Sequence, residues 1–217
     1  MAARGQVPLT LCAEKDSLAP NSSILFDGKR LPMQFLAALW LPILLSAVIV
    51  FIASSIMHMV LPYHKSDYRQ LPDEDKILAF LRPAGLQRGI YVFPFSTHRN
   101  MKSPEIQEKY KQGPVGILTV FPSGPPVMPK FLGLWFTYCL VIGIVVAYLS
   151  WHTVTPGAPY RHVFRAAGTA AFLAYGMGNL SNGIWKGQPW SNVIKEAADG
   201  LIYSLLTAAT FACLWPH

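Results

Sequence analysis

LPMQFLAALWLPILLSAVIVFIASSIMHMVLPY, residues 31–63, holds no Asp, Glu, Lys or Arg. A helix of roughly 20 apolar residues crosses about 30 Å of hydrocarbon, so this run is long enough to span a bilayer. Three further uncharged windows follow: Phe131–Tyr160, Ala166–Trp185 and Gly200–His217. Together they predict an all-α membrane protein, a four-transmembrane-helix bundle. The spans are expected near Gln34–Leu61, Lys130–Trp151, Val163–Leu180 and Val193–Leu214. Pro42 falls inside the first and predicts a bend.

Working outward, the domain organisation reads as four segments. Residues 1–32 mix Pro, Ser, Asn and charges without periodicity, as a disordered, dispensable tail does. No apolar stretch lies close enough to Met1 for a cleaved secretory signal, and Met33 is an alternative start. Residues 33–61 form the first transmembrane helix, 62–129 an extramembrane α/β cap, and 130–217 the remaining three helices. Within the cap, PDED (72–75) ahead of Ile77, Leu78 and Leu81 reads as a helix start with acids in its first turn. Ser103-Pro104 opens a second helix that ends at Gly113. GIYVFPF (89–95) and VGILTVF (115–121) are β-prone, and the two strands are expected to pair.

Composition agrees with a bilayer. The chain has 217 residues, of which 52% are hydrophobic and only 13% charged, about half the share of a soluble domain. The formal charge is +7. Its basic residues are scattered among acids without an arginine-rich helix or stacking platform, which excludes nucleic acid as a partner and points to anionic lipid. The three cysteines, Cys12, Cys139 and Cys213, include no CxxC pair, so neither a disulfide framework nor a cysteine zinc site is expected. Trp40, Trp135, Trp151, Trp185, Trp190 and Trp215 fall near predicted span ends, where indoles settle. Basic residues near the span ends differ little between the two faces, with a slight lean to a cytoplasmic cap.

Small residues recur every four positions. Ala166, Ala170, Ala174 and Gly178 form one stripe, Gly200, Ser204, Ala208 and Ala212 another, and Cys139, Gly143 and Ala147 a shorter third. Such stripes let helices in lipid approach closely, so the third and fourth spans are expected to pack stripe against stripe.

Connectivity brings the rare polar residues to the cap-bearing face: His58, His64, Asp67, Asn179, Asn182, Lys195 and Asp199. Polar groups at membrane depth are costly and face the interior or water. His58, His64 and Asp67 are candidate metal ligands, with Met57 and Met59 as soft neighbours suited to copper. Against this, His58 and His64 are six apart with Pro62 between them, and no H-E-x-x-H or Glu-x-x-His motif is present. Lys195 and Asp199 lie four apart and are expected to form an ion pair on one helix face. Nucleophile elbows, Ser/His/Asp patterns and P-loops are missing, so no catalytic residue is assigned.

HMVLPYHKSDYRQLPDEDKILAFLR (58–82), FPSGPP (121–126) and the tail from Ile184 to Pro216 resemble segments of small bacterial four-span membrane proteins of the hypothetical or domain-of-unknown-function type. That resemblance covers nearly everything after Met33. It implies a bacterial inner-membrane location, multi-pass, and transfers no activity or residue role.

Three functions stay open. The first is a non-enzymatic accessory or assembly subunit of a membrane complex, with the lipid bilayer and other membrane subunits as partners. The second is a small transporter or channel, working as a homo-oligomer with Asp199, Asn182 and His58 lining a polar route. The third is a metal-binding membrane enzyme, with copper or another transition metal as its cofactor; the other two readings carry none.

Overall fold

The computed structural model describes residues 33–217, and the expected tail, with Cys12, lies outside the described residues. The uncharged run forms α1 (Gln34–Ser55) and continues as a π-helical turn over Ile56–Val60. Leu39 leaves helical dihedrals at φ −117° and ψ 17°, three residues before Pro42. Pro42 has no N–H to give and its ring crowds the carbonyl four residues back, so the kink lies where proline puts it.

The insertion comprises α2 (Glu74–Leu81), β1 (Gly89–Phe93), α3 (Pro104–Gln112) and β2 (Gly116–Val120). The strands pair antiparallel, with Gly89 opposite Val120 and Phe93 opposite Gly116. Ser103 caps α3 by accepting from the Ile106 amide at 3.4 Å, with Pro104 in the first turn. The Tyr110 hydroxyl lies 3.0 Å from Ser96 Oγ and ties α3 to the chain beyond β1.

The chain then runs through α4 (Met128–Thr153), α5 (Tyr160–Tyr175), the short α6 (Leu180–Lys186) and α7 (Trp190–Cys213). Most residues are helical and the sheet is small. α1 packs against α4 and α7, and α5 packs against the same two helices. Small residues make these approaches possible. A Cβ on Gly143 would come within 3.3 Å of the Ile43 carbonyl oxygen, and one on Gly200 within 2.5 Å of Gly176 Cα.

The α7 stripe is buried as expected at Gly200, Ser204, Ala208 and Ala212. The α5 stripe is one residue out of register. Val163, Ala167, Ala171 and Tyr175 are buried, whereas Ala166, Ala170 and Ala174 are half-buried and Gly178 is exposed. A helix with two neighbours buries most deeply the face between them, and α5 lies against both α4 and α7. Each residue turns the helix by about 100°, so a one-residue change moves the small stripe from the centre of that face to its flank. The third span is also shorter than expected. α5 stops at Tyr175, where the backbone of Gly200 meets Gly176, and a 3₁₀ turn at Met177–Asn179 follows.

Among the described residues two helices, Gln34–Val60 and Met128–Thr153, are long and apolar enough to cross a membrane. The four-span expectation is therefore met in part. α5 has 16 residues, a length of about 24 Å at 1.5 Å per residue. α7 is long enough but carries Lys195, Glu196 and Asp199 in its first turns.

The corrected register has a measurable consequence. Ala208 is fully buried and faces Gly168, where a Cβ would lie 3.1 Å from its own. Ala208→Leu is expected to destabilise the fold by about 1–3 kcal/mol, the usual cost of overpacking. Ala174→Leu, on the flank, should lower the melting temperature in detergent by clearly less. Equal shifts would contradict the register.

Candidate functional site

The site begins with a chain reversal. Leu61 is extended (φ −79°, ψ 135°), as steric conflict with the following proline ring requires. Pro62 then opens a tight 3₁₀ turn over Pro62–Ser66 that folds back over the end of α1. His64 lands on His58, their rings stacked with centroids 4.3 Å apart and planes at 14°. The six-residue gap and Pro62, which on the sequence argued against a shared cluster, are what create it. His58 itself sits in the π turn, whose wider bond runs from Leu61 N–H to Ile56 O at 3.1 Å; such turns are frequent at functional sites.

Each imidazole is fixed through one nitrogen. His58 Nδ1 lies 3.1 Å from the Ser54 carbonyl oxygen. That oxygen can only accept, so Nδ1 carries a hydrogen. His64 Nδ1 lies 2.5 Å from Asp67 Oδ2, and its Nε2 lies 2.8 Å from Asp199 Oδ2. His58 Nε2 is 3.9 Å from the same Asp199 oxygen. Asp199, buried at 3% exposure, receives a further hydrogen bond on Oδ1 from the Tyr63 hydroxyl. The two Nε2 atoms thus converge on one buried carboxylate, that of His64 bonded to it and that of His58 3.9 Å away.

Lys195 holds the turn from α7. Its ammonium donates to Asp67 Oδ1 at 2.7 Å, to the Tyr63 carbonyl at 2.7 Å and to Ser66 Oγ at 2.8 Å. The expected Lys195–Asp199 pair is replaced by Lys195–Asp67, because Tyr63 and His64 already engage Asp199. Asn192 adds a bond from Nδ2 to the Asp67 carbonyl at 3.1 Å. The Lys195 ammonium, followed by His64, holds the Asp67 carboxyl below its ordinary range. Burial, then the hydrogen bond to Asp199, pushes the Tyr63 phenol up, so it stays a donor.

The candidate ligand set is accordingly revised. His58, His64 and Asp199 offer one donor atom each, all within 4.8 Å of one another. Asp67 stands behind His64 instead. A carboxylate on the far nitrogen of a ligating histidine is the usual way to orient the ring and raise its basicity. Two imidazoles and a carboxylate suit a borderline ion such as Zn²⁺ or Fe²⁺ better than the soft-ligand copper site suggested by Met57 and Met59. Met57 is buried and Met59 exposed.

His58 and Asp199 line a cavity of about 620 Å³ together with Asn179, Asn182, Glu196 and Tyr203. Asn179, on the 3₁₀ turn, and Asn182, on α6, thus reach the same space as the cluster. Among the described residues no Lys or Arg lines it. The Tyr203 hydroxyl is buried and has no hydrogen-bond partner among them. Glu196 accepts from Gln188 Nε2 at 2.6 Å.

Tyr63, Asn192, Glu196 and Tyr203 were not singled out from the sequence. For two of them a signal existed. Asn192, Lys195, Glu196 and Asp199 follow i, i+3, i+4, i+7 spacing, one polar face written at helical period. No protein-family model matches the chain, and neither a curated protein nor a solved structure matches it.

Proposed function

We propose that this chain is a multi-pass membrane enzyme of the bacterial inner membrane that binds one divalent transition metal ion between His58, His64 and Asp199 and uses it for hydrolysis. One observation carries the reading. The two Nδ1 atoms are anchored, to Ser54 and Asp67, while the two Nε2 atoms face Asp199. Three protein ligands with space beside them match catalytic zinc sites, which keep one position for water or substrate. An ion held by His58, His64 and Asp199 would supply an acidified water at neutral pH. Glu196, on the wall of the same cavity and outside the ligand set, would accept that water's proton. The Asn179 and Asn182 amides are donors for charge developing on a substrate oxygen.

Crossing of the bilayer by all four long helices is part of the same proposal. Its support is the inside-out distribution of polarity. Ser46, Ser54, Ser150, Ser204 and Thr207 are buried, while Leu44, Ile52, Val145, Leu173, Leu201 and Leu205 face outward. Water favours the reverse and hydrocarbon favours this, since helices in lipid gain nothing from hiding leucine.

The test is a metal count. Protein purified in mild detergent, equilibrated with Zn²⁺ and desalted, is expected to retain one equivalent by elemental analysis. Retention below a tenth of an equivalent would overturn the reading. Exposed Ile90, Val92, Phe95 and Phe121 on the insertion favour a second reading, docking onto another membrane subunit, which a stoichiometric copurifying protein would support.

A further inference from the structure

His58 and Trp135 face two cavities at once. On one side lies the polar cavity described above. On the other is a groove of about 410 Å³ walled by Ser54, Ser55, Met59, Met128 and Leu132. Apart from the serines and His58 itself, its walls are hydrocarbon, thioether or indole. Its position is also informative. It runs between the end of α1 and the start of α4, the two helices long and apolar enough to cross a membrane. If those helices cross the bilayer as proposed, the groove faces lipid chains, and it ends at His58, a prospective metal ligand. The Trp135 indole stands at the junction, held by its N–H donating to Ser54 Oγ at 2.8 Å.

We infer that the substrate is a membrane amphiphile with an uncharged, oxygen-bearing head, such as the ester of an acylglycerol, entering laterally with its chain in this groove and its head against His58 and Asp199. The inference rests on the metal-hydrolase reading and adds the substrate class. Two features select the class. The groove takes a hydrocarbon tail because few of its walls could hydrogen-bond a polar one. The head cavity holds Asp199, Glu196, Asn179 and Asn182 without a lysine or arginine among the described residues. Even beside a metal ion, an anionic phosphate head would meet the acidic side chains of Asp199 and Glu196 with no Lys or Arg to offset them. An ester or hydroxyl head needs neutral donors and acceptors, which the two Asn amides and the Tyr203 hydroxyl provide.

The experiment uses the full chain in lipid nanodiscs loaded with Zn²⁺. Two photoreactive probes are compared at equal concentration: a monoacylglycerol and a phosphatidic acid, each with a diazirine on its acyl chain. Expected is labelling by the monoacylglycerol at Met59, Met128 and Leu132 at least fivefold above the outward-facing Val141 and Val145. Leu132→Trp, which fills the groove, should cut that labelling at least fivefold while zinc content stays at one equivalent. Met59→Trp from the opposite wall should act alike, so that misfolding of one variant does not decide the result. Labelling spread evenly over outward-facing residues, or equal labelling by the phosphatidic acid, would overturn the inference. The zinc count on the same samples separates the two readings. One equivalent without groove labelling sinks the substrate class alone; groove labelling in protein that holds no zinc supports the groove and sinks the metal reading.

Discussion

Asp199→Ala is expected to abolish stoichiometric Zn²⁺ retention, whereas Asp67→Asn leaves the ion bound at saturation but about 10–100-fold more weakly. The two carboxylates touch the same imidazole from opposite ends, at 2.8 Å and 2.5 Å. Only the Asp199 oxygen also faces His58 Nε2. It is the one carboxylate that both rings can share with an ion, so its loss leaves two ligands of different chain segments with nothing to close the triad. Asn at 67 keeps a carbonyl oxygen able to accept from His64 Nδ1 but loses the negative charge that raises the ring's basicity. It also weakens the bond to Lys195. Isothermal titration with Zn²⁺ on detergent-solubilised protein measures both. Equal losses for the two variants would show that Asp67 binds the ion itself; no loss for Asp199→Ala would remove the site. His64→Ala is the less informative variant, because it leaves the buried Asp199 carboxylate with Tyr63 as its remaining close partner and risks unfolding.

Gly200→Ala is expected to be the most damaging single-methyl change in the helices. The added carbon would stand 2.5 Å from Gly176 Cα, 2.6 Å from Gly176 N and 2.7 Å from the Tyr175 carbonyl carbon. All three are main-chain atoms, so no side chain can rotate away and α5 must back off from α7. Overpacking against side chains costs about 1–3 kcal/mol, and a backbone obstacle puts this variant at or above the upper end. Because Asp199 is the adjacent residue on α7, zinc retention should fall along with stability. Gly133→Ala is the control. It lies in α4 with nothing within 4 Å of the added carbon, and alanine in a helix is worth about 0.5–1 kcal/mol over glycine. Thermal unfolding in detergent should show the first variant well below the parent and the second equal to or above it. Matched melting temperatures for Gly200→Ala and the parent would mean that α5 and α7 do not cross at Gly176.

The elements that were legible in the sequence are those written in local pattern. The uncharged runs mark α1 and α4, Ser103-Pro104 marks the start of α3, and the β-prone runs at 89–95 and 115–121 contain the paired strands. The α7 stripe reads correctly because every small residue in it is also on the buried face. The α5 stripe does not, since Ala fills both the 166 and the 167 registers and only the neighbours decide between them. The gathering of the polar residues was legible from connectivity, but their arrangement within the cluster was not, for a different reason. Periodicity carries His58 along a straight helix and away from His64, whereas a proline-initiated reversal brings the rings together. Nothing local to residues 58–67 announces that Asp199, more than a hundred positions away, completes the set; the polar face at 192, 195, 196 and 199 announces only that something lies against it.

The 62–67 turn also works as a clasp. Tyr63, His64, Ser66 and Asp67 are all bonded to α7 before the chain departs for the insertion. The first and last long helices are thus buckled together by a few residues in and beside the His58, His64 and Asp199 cluster. The following sixty or so residues leave from and return to a frame already fixed. Changes in its length or surface chemistry are therefore expected to leave the packing of His58, His64 and Asp199 undisturbed, which makes it the part of the molecule where variation costs the cluster least.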